Sequence, residues 1–294
     1  MTATEGHGRL QLKSGDRIAV VAGSGRLPID LAENLVAQGR NPLVVMVTGE
    51  ASPELASYEH EALTIEDFAG LGPLLKRRGI THAVFAGGIS RRPQVRSLKP
   101  SLALLKLLPR ALAALAKGDD GVLRAVTTTV ESLGIEVVGA HQIAPDLLAS
   151  EGPMTSAAPQ NSDWRDLEAA AEAARAIGAL DIGQAAVAIG GRAIALEGIE
   201  GTDGLLERVK DLRSHGRLAG KKRGVLVKCA KPGQELRMDL PSIGPQTVTA
   251  AHAAGLAGIG IEADRSLVLD VAKVIGEADR LGLFVVGLPR ENRS

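Results

Sequence analysis

Short apolar runs alternating with helical stretches fill the first half of this chain, and that alternation restricts its folding more than any other feature. Arg17–Ala22 predicts a strand, and Leu27–Gln38 a helix with Pro28 in its first turn. Pro42–Val47 predicts a second strand and Glu66–Arg78 a helix ending near Gly79. Thr81–Phe85 predicts a third strand, running into Ala86-Gly87-Gly88. Helices over Leu102–Ala116 and Asp119–Leu133, then a strand at Glu136–Val138, complete the series. Strands joined through helices lie parallel with right-handed crossovers, so an α/β, Rossmann-like parallel-sheet domain is expected over residues 16–144.

At 294 residues the chain is long for one hydrophobic core, and a second domain is expected. Residues 145–163 are rich in Pro, Ser, Gly and Ala without periodicity and read as the linker, leaving a mixed α/β domain over 164–290. There an Ala-rich helix (Trp164–Ile177) precedes a hairpin, Gln184–Ile189 with Ala193–Glu197, turned at Gly190-Gly191. A helix from Thr202 through Leu212 follows, with Thr202 as its cap. The pattern then predicts a buried strand at Val225–Val227, helices at Pro245–Ala254 and Leu269–Leu281, and strands at Gly258–Glu262 and Leu283–Val286.

Composition excludes several functions. Aromatic residues make up 2% of the chain, which removes the stacking platforms that single-stranded nucleic acid requires. Lys plus Arg and Asp plus Glu both number 34, so no net field draws the chain to nucleic acid or an anionic membrane. One cysteine permits no internal disulfide and fits a reducing cytoplasm. The opening MTATEGHGRLQLKSGD has no apolar core of a signal peptide, and residues 1–15 read as a disordered extension. The most apolar window is Ser101–Lys117, which Lys106, Pro109 and Arg110 interrupt short of the ~18 residues a membrane span needs. Leu102, Leu105, Leu108, Leu112 and Leu115 share one face, suiting either a core helix or one that meets lipid or acyl chains.

Residues 223–247, RGVLVKCAKPGQELRMDLPSIGPQT, carry the densest chemistry. The apolar run feeds into Lys228, Lys231, Gln234, Glu235, Arg237 and Asp239 before Ser242-Ile243-Gly244-Pro245 turns the chain. Pro232 and Gly233 break any strand, so these groups suit a phosphate-handling or metal-assisted loop, or else a charged surface hairpin. Val20–Pro28 is a glycine-rich strand-to-helix turn, where Gly23 and Gly25 suit a phosphate. Pro28 stands where a dinucleotide fingerprint needs its third glycine, and no P-loop lysine follows. Gly87, Gly88 and Ser90, with Arg91 and Arg92, follow the third strand, at the end where parallel sheets bind ligands; a tight turn with solvated arginines reads equally well. Asp119 and Asp120, and likewise Thr202 and Asp203, are helix caps or hard oxygen ligands. His141 reads first as a structural hydrogen-bonder, and no serine-hydrolase or zinc motif appears.

Taken together, AGSGRLP, FAGGISRRP, KGDDGVLR, VVGAH, LDIGQAAV, EGTDGLLERV and VKCAKPGQELRMDLPSIGPQT resemble the LpxI family of UDP-2,3-diacylglucosamine pyrophosphatases of lipid A biosynthesis. The likeness runs in order from about Arg17 to Leu288, and EGTD followed by KPGQ-E-x-R-x-DLPSIG is its specific part. Ser24 departs from a frequent family glycine, and the first residues have no counterpart. The resemblance implies Mg²⁺-dependent hydrolysis of UDP-2,3-diacylglucosamine to UMP and 2,3-diacylglucosamine 1-phosphate (lipid X). It also implies two domains clasping the product, a homodimer, and a cytoplasmic enzyme in peripheral contact with the inner membrane. It places the catalytic aspartate at Asp239. On that reading Asp239 and Asp203 hold the metal, while Lys228, Lys231 and Arg237 clamp phosphate charge, and the 101–117 helix joins an acyl-chain trough. A nucleotide-sugar or lipid carrier is the alternative; a nucleotide-dependent oxidoreductase is disfavoured by the missing glycine.

Overall fold

The computed structural model describes residues 10–89, 118–216, 218, 223–232 and 234–290. Within them the chain divides into two compact units, one of Met1–Asp146 with Glu235–Asp239 and one of Leu147–Gln234 with Leu240–Ser294.

The first unit is the expected parallel sheet. It contains β1 (Ile18–Ala22), α1 (Leu27–Ala37), β2 (Leu43–Val47), β3 (Glu59–Leu63), α2 (Leu71–Arg77), β4 (His82–Ala86), α3 (Gly118–Glu131), β5 (Glu136–Val138) and α4 (Ala140–Ile143). The strand order β3-β2-β1-β4-β5, all parallel, is that of a Rossmann half. Successive strand residues face opposite layers. Ala19, Val21, Leu43 and Val45 pack with Leu71, Leu75 and Val130, while Ala22 and Val44 pack with Ile29 and Ala32 of α1.

β3 was not anticipated, because Glu59-His60-Glu61 reads as polar; it is an edge strand whose Glu59 and Glu61 pair with Arg17 and Arg78. Arg78, then Arg17, hold the Glu59 carboxyl below its ordinary range. The helix expected from Glu66 begins as a 3-10 turn, Ile65–Gly70, because Asp67 leaves helical geometry; the α-helical part starts at Leu71. Similarly α3 starts at Gly118, so Asp119 and Asp120 lie inside its first turn rather than ahead of it.

The second unit is a mixed six-stranded sheet. Its elements are β6 (Gly152–Pro153), α5 (Asn161–Ala179), β7 (Ala185–Ala188), β8 (Ala193–Leu196), α6 (Gly201–Ser214), β9 (Val225–Lys228), β10 (Ser242–Ile243), α7 (Pro245–Ala253), β11 (Gly258–Glu262), β12 (Leu267–Val268), α8 (Val271–Leu281) and β13 (Phe284–Leu288). The order is β6-β13-β11-β9-β7-β8, with β9, β11 and β13 parallel and β7 antiparallel to both β8 and β9. Strands β8, β9, β11 and β13 therefore all point the same way. One face packs Val187, Leu226, Ile259 and Val285 against Leu205, Val248 and Val274; the other packs Val227 and Val286 against Leu167, Ala170 and Ala174 of α5.

The β7–β8 hairpin turns at Gly190-Gly191 with φ of 65° and 76°, the geometry of a type I′ turn that the strand twist favours. Residues 145–163, composed like a linker, instead hold a 3-10 turn at Pro145–Leu147, strand β6 against β13, and the start of α5. The short β10 and β12 pair with each other and had no sequence signal.

Candidate functional site

At the carboxyl edge of the first sheet, the loops after β1 and β4 are knitted through their backbones. Gly23 N–H donates to the Ala86 carbonyl (2.8 Å) and Ser24 N–H to Gly88 (2.8 Å), while Gly88 N–H returns to Ser24 (3.0 Å). A Cβ on Gly23 would lie 2.3 Å from the Gly88 oxygen, and one on Gly87 2.3 Å from the Ser24 oxygen. The glycines are thus required for loop-to-loop approach. The N–H groups of Gly23 and Gly88 serve that contact instead of facing outward as a phosphate cradle. Gly25, with φ of 95°, has open space where a Cβ would stand. Arg26 covers the start of α1 and pairs with Asp30 (2.7 Å) and Glu33 (2.8 Å); the Asp30 hydrogen bond raises its pKa first. Ser90, Arg91, Arg92 and the Ser101–Lys117 stretch lie outside the described residues.

The polar loop does not form a hairpin, and it divides between the two units. Glu235–Asp239 belongs to the first unit, although sequence order places it within the second domain. Met238 packs on the first unit's core, and Arg237 is tied to the same body. Arg237 grips Glu235 through Nε (2.9 Å) and a terminal nitrogen (3.0 Å). Its other terminal nitrogen donates to Glu131 (2.6 Å) and to the Val137 carbonyl (3.3 Å). The guanidinium expected to clamp phosphate is therefore committed to carboxylates. The Glu235 bond raises the Arg237 pKa further, and in return the guanidinium holds the Glu235 carboxyl below its ordinary range. The Met238 and Asp239 N–H groups both donate to the Glu235 carbonyl, at 2.9 and 3.2 Å, closing a turn that leaves Asp239 exposed. A fixed turn carrying an exposed carboxylate suits a reacting or metal-holding group.

In the second unit, the carboxyl ends of the co-directed strands carry buried charge. Lys228 ends β9 and donates through Nζ to the Ser242 carbonyl at 2.9 Å. Glu262 ends β11 and accepts the Ala230 N–H at 3.0 Å. Glu197, directly after β8, accepts the Gln184 N–H (2.7 Å) and the Thr202 hydroxyl (2.6 Å). Thr202 is therefore no helix cap: α6 begins at Gly201, and the hydroxyl turns back to Glu197. Asp203 is exposed in the first turn of α6. Lys231 pairs with Asp181 (2.7 Å), and its N–H donates to the buried Gln234 side chain (3.0 Å), which shapes the turn after β9. Sequence reasoning passed over Gln184, Glu197 and Glu262. The available signal was a carboxylate closing an apolar run, in AIALE and GIGIE, at the strand ends where such sheets place ligands.

No group of three or more His, Cys, Asp or Glu converges on a possible metal position among the described residues. Among them, no helix is long and apolar enough to cross a membrane.

Family models match both units: the LpxI N-terminal domain over residues 17–147 and the LpxI C-terminal domain over 150–286. The chain belongs to the LpxI family. A curated relative from Caulobacter vibrioides, named UDP-2,3-diacylglucosamine pyrophosphatase LpxI, is 41% identical over 278 residues, covering 94% of this chain and 99% of the relative. Two solved structures also align with this LpxI-family chain. CobK precorrin-6A reductase does so at 15% identity and a TM-score of 0.32, covering 94% of this chain and 88% of that one. A Thermus thermophilus UDP-glucose 4-epimerase does so at 14% and 0.29, covering 95% and 88%. Neither TM-score reaches 0.5.

Proposed function

We propose that this chain hydrolyses the pyrophosphate bond of UDP-2,3-diacylglucosamine, releasing UMP and 2,3-diacylglucosamine 1-phosphate. The observation that carries the reading is the 41% identity, over 94% of the chain, to a relative named for that substrate. The site geometry supports it: Asp239 is an exposed carboxylate on a turn held by Arg237 and Met238. In anhydride cleavage it aligns the attacking water or holds a metal.

The residues present fit Mg²⁺. This ion favours oxygen ligands and keeps several waters, binding through one or two carboxylates plus substrate phosphates rather than an all-protein cage. Asp239 in the first unit and Asp203 in the second are each exposed carboxylates offering oxygens of this kind. When bound, Mg²⁺ supplies neutralisation of the diphosphate oxygens. Asp239 fixes the water on its turn. Because the substrate carries two acyl chains, a chain with no described spanning helix meets it at a membrane surface as a peripheral protein.

The test is UMP release by purified full-length chain from UDP-2,3-diacylglucosamine, with Mg²⁺ and with excess EDTA. Release in Mg²⁺ and its loss in EDTA are expected. Undiminished release in EDTA refutes the metal role, and no release under any divalent cation favours a carrier.

A further inference from the structure

We propose that Glu197 is a positioning residue that fixes the Thr202 hydroxyl as a hydrogen-bond acceptor toward the ligand. Thr202 then receives a donor (a ligand hydroxyl or imide N–H, or a metal-bound water) and gives no hydrogen bond to a phosphate oxygen. The ligand's identity rests on the pyrophosphatase reading; the geometry does not.

Glu197 is 6% exposed and stands directly after β8. A buried carboxylate is costly unless its oxygens are satisfied, and here each oxygen is. One takes the Gln184 N–H at 2.7 Å, and the other takes the Thr202 hydroxyl at 2.6 Å, within the ordinary O–H···O range. Both bonds run into Glu197, which accepts at each oxygen, and a hydroxyl has one proton and two lone pairs. With that proton committed, Thr202 Oγ1 has only lone pairs left for a ligand. Phosphate oxygens, also acceptors, are disfavoured there.

The brace is stiff on both sides. Gln184 is anchored to β9, because its carbonyl accepts the Cys229 N–H at 3.0 Å. Gly183 lies so close to Glu197 that a Cβ would meet the Glu197 carbonyl oxygen at 2.4 Å. The neighbouring Glu200 is paired with Arg208 at 2.8 Å, leaving Glu197 as the carboxylate that Thr202 addresses. Two stretches distant in sequence, LDIGQ and EGTD, are thereby joined through one buried side chain.

The experiment uses the full chain and a double-mutant comparison. Thr202→Val should raise KM for UDP-2,3-diacylglucosamine, or the Mg²⁺ concentration for half-maximal rate, about tenfold, the size of one lost hydrogen bond. Thr202→Ser, which keeps the hydroxyl, should restore most of it, and kcat should change less than KM. Glu197→Gln, of the same shape, should reproduce the Thr202→Val shift while melting as a folded protein. The double variant should be no worse than Thr202→Val alone. Losses that multiply overturn the proposal, because Glu197 then acts independently of Thr202.

A second measurement stands if Glu197→Gln does not fold. Substrates methylated at uracil N3 or lacking single hydroxyls, and a Mg²⁺ titration, are compared on the wild-type chain and Thr202→Val. The donor that Thr202 accepts is the one whose removal weakens wild type but not the variant. If every donor and the metal weaken both equally, the acceptor role is wrong. A wild-type chain that releases no UMP refutes the pyrophosphatase reading and this proposal together; an active wild type with uncoupled Thr202 refutes the proposal alone.

Discussion

At the carboxyl edge of the first sheet, the loops after β1 and β4 meet through backbone bonds that pair Gly23 with Ala86 and Ser24 with Gly88. At the same edge of the second sheet, Glu197, Lys228 and Glu262 stand at strand ends as buried charges, each bonded to a backbone or hydroxyl partner. One edge is made by leaving side chains out, the other by burying hydrogen-bonded acidic and basic ones. The two are vulnerable to different changes. A backbone crossing fails when volume is added, since neither loop can yield without losing its hydrogen bonds. A buried charge tolerates little removal of its partner, because the unpaired group keeps its desolvation cost. The segment Glu235–Asp239 combines the two devices, with Met238 seated by packing and Arg237 by carboxylates.

The comparison is sharpened most strongly at Asp239. Asp239→Ala should lower turnover on the order of 10²-fold or more, as removal of a metal ligand or water-positioning group does. Its melting temperature should stay near wild type, since an exposed carboxylate contributes little packing. Near-normal UMP release by this variant would move the reacting role to another carboxylate, Asp203 first.

Gly87→Val tests the backbone edge. The residue has φ of 87°, and its Cβ position lies 2.3 Å from the Ser24 oxygen, so strain and overlap add. A loss of about 2–5 kcal/mol is expected in urea denaturation. Gly25→Ala, at φ of 95° with open space, should cost only about 1 kcal/mol. Equal costs at both positions would mean that the crossing is not tight.

Arg237→Met tests the carboxylate clamp. It should destabilise by about 1–3 kcal/mol, a range already reduced for the partial exposure of the arginine, and should slow turnover by loosening the Asp239 turn. The pH dependence has a defined sign. Arg237 lowers the Glu235 pKa from its ordinary 4.5, so the ionised clamp adds stability that is fully present above that value. That stability is lost as pH falls through the lower, folded-state value. Wild type and Arg237→Met should therefore converge in denaturant midpoint as the solution is acidified below 4.5. A constant gap would place the arginine's contribution in packing.

The smallest effect is expected at Lys231. Its pair with Asp181 has side-chain exposures of 16% and 37%, so Lys231→Met should shift stability by less than about 1 kcal/mol in moderate salt. A larger loss would show that the loop after β9 depends on charge as strongly as the buried ends do.

Much of this fold was legible from periodicity. IAVVA, LVVMV and HAVFA are apolar runs flanked by helical stretches, which leaves a parallel sheet as the arrangement that buries them. The Gly190-Gly191 turn followed from the need for positive φ. β3, β10 and β12 were not legible, because their pairing comes from neighbours rather than from their own residues. The reactive window was visible as a density of charge, and its likeness to the LpxI family was legible in its motifs. The function of each charge within it was not.

What the sequence by itself determined is the set of local preferences: which stretches are strands, where glycines bend the chain, and which residues carry chemistry. Those follow from side-chain period and backbone sterics, which act over a few residues. The tertiary structure alone decided that Glu235–Asp239 belongs with the first unit, that Arg237 grips Glu131, and that the Thr202 hydroxyl donates its hydrogen bond to Glu197. Arg237 and Glu131 are 106 positions apart, and pairing at that separation is selected by desolvation and packing of the whole unit, energies that no local stretch contains.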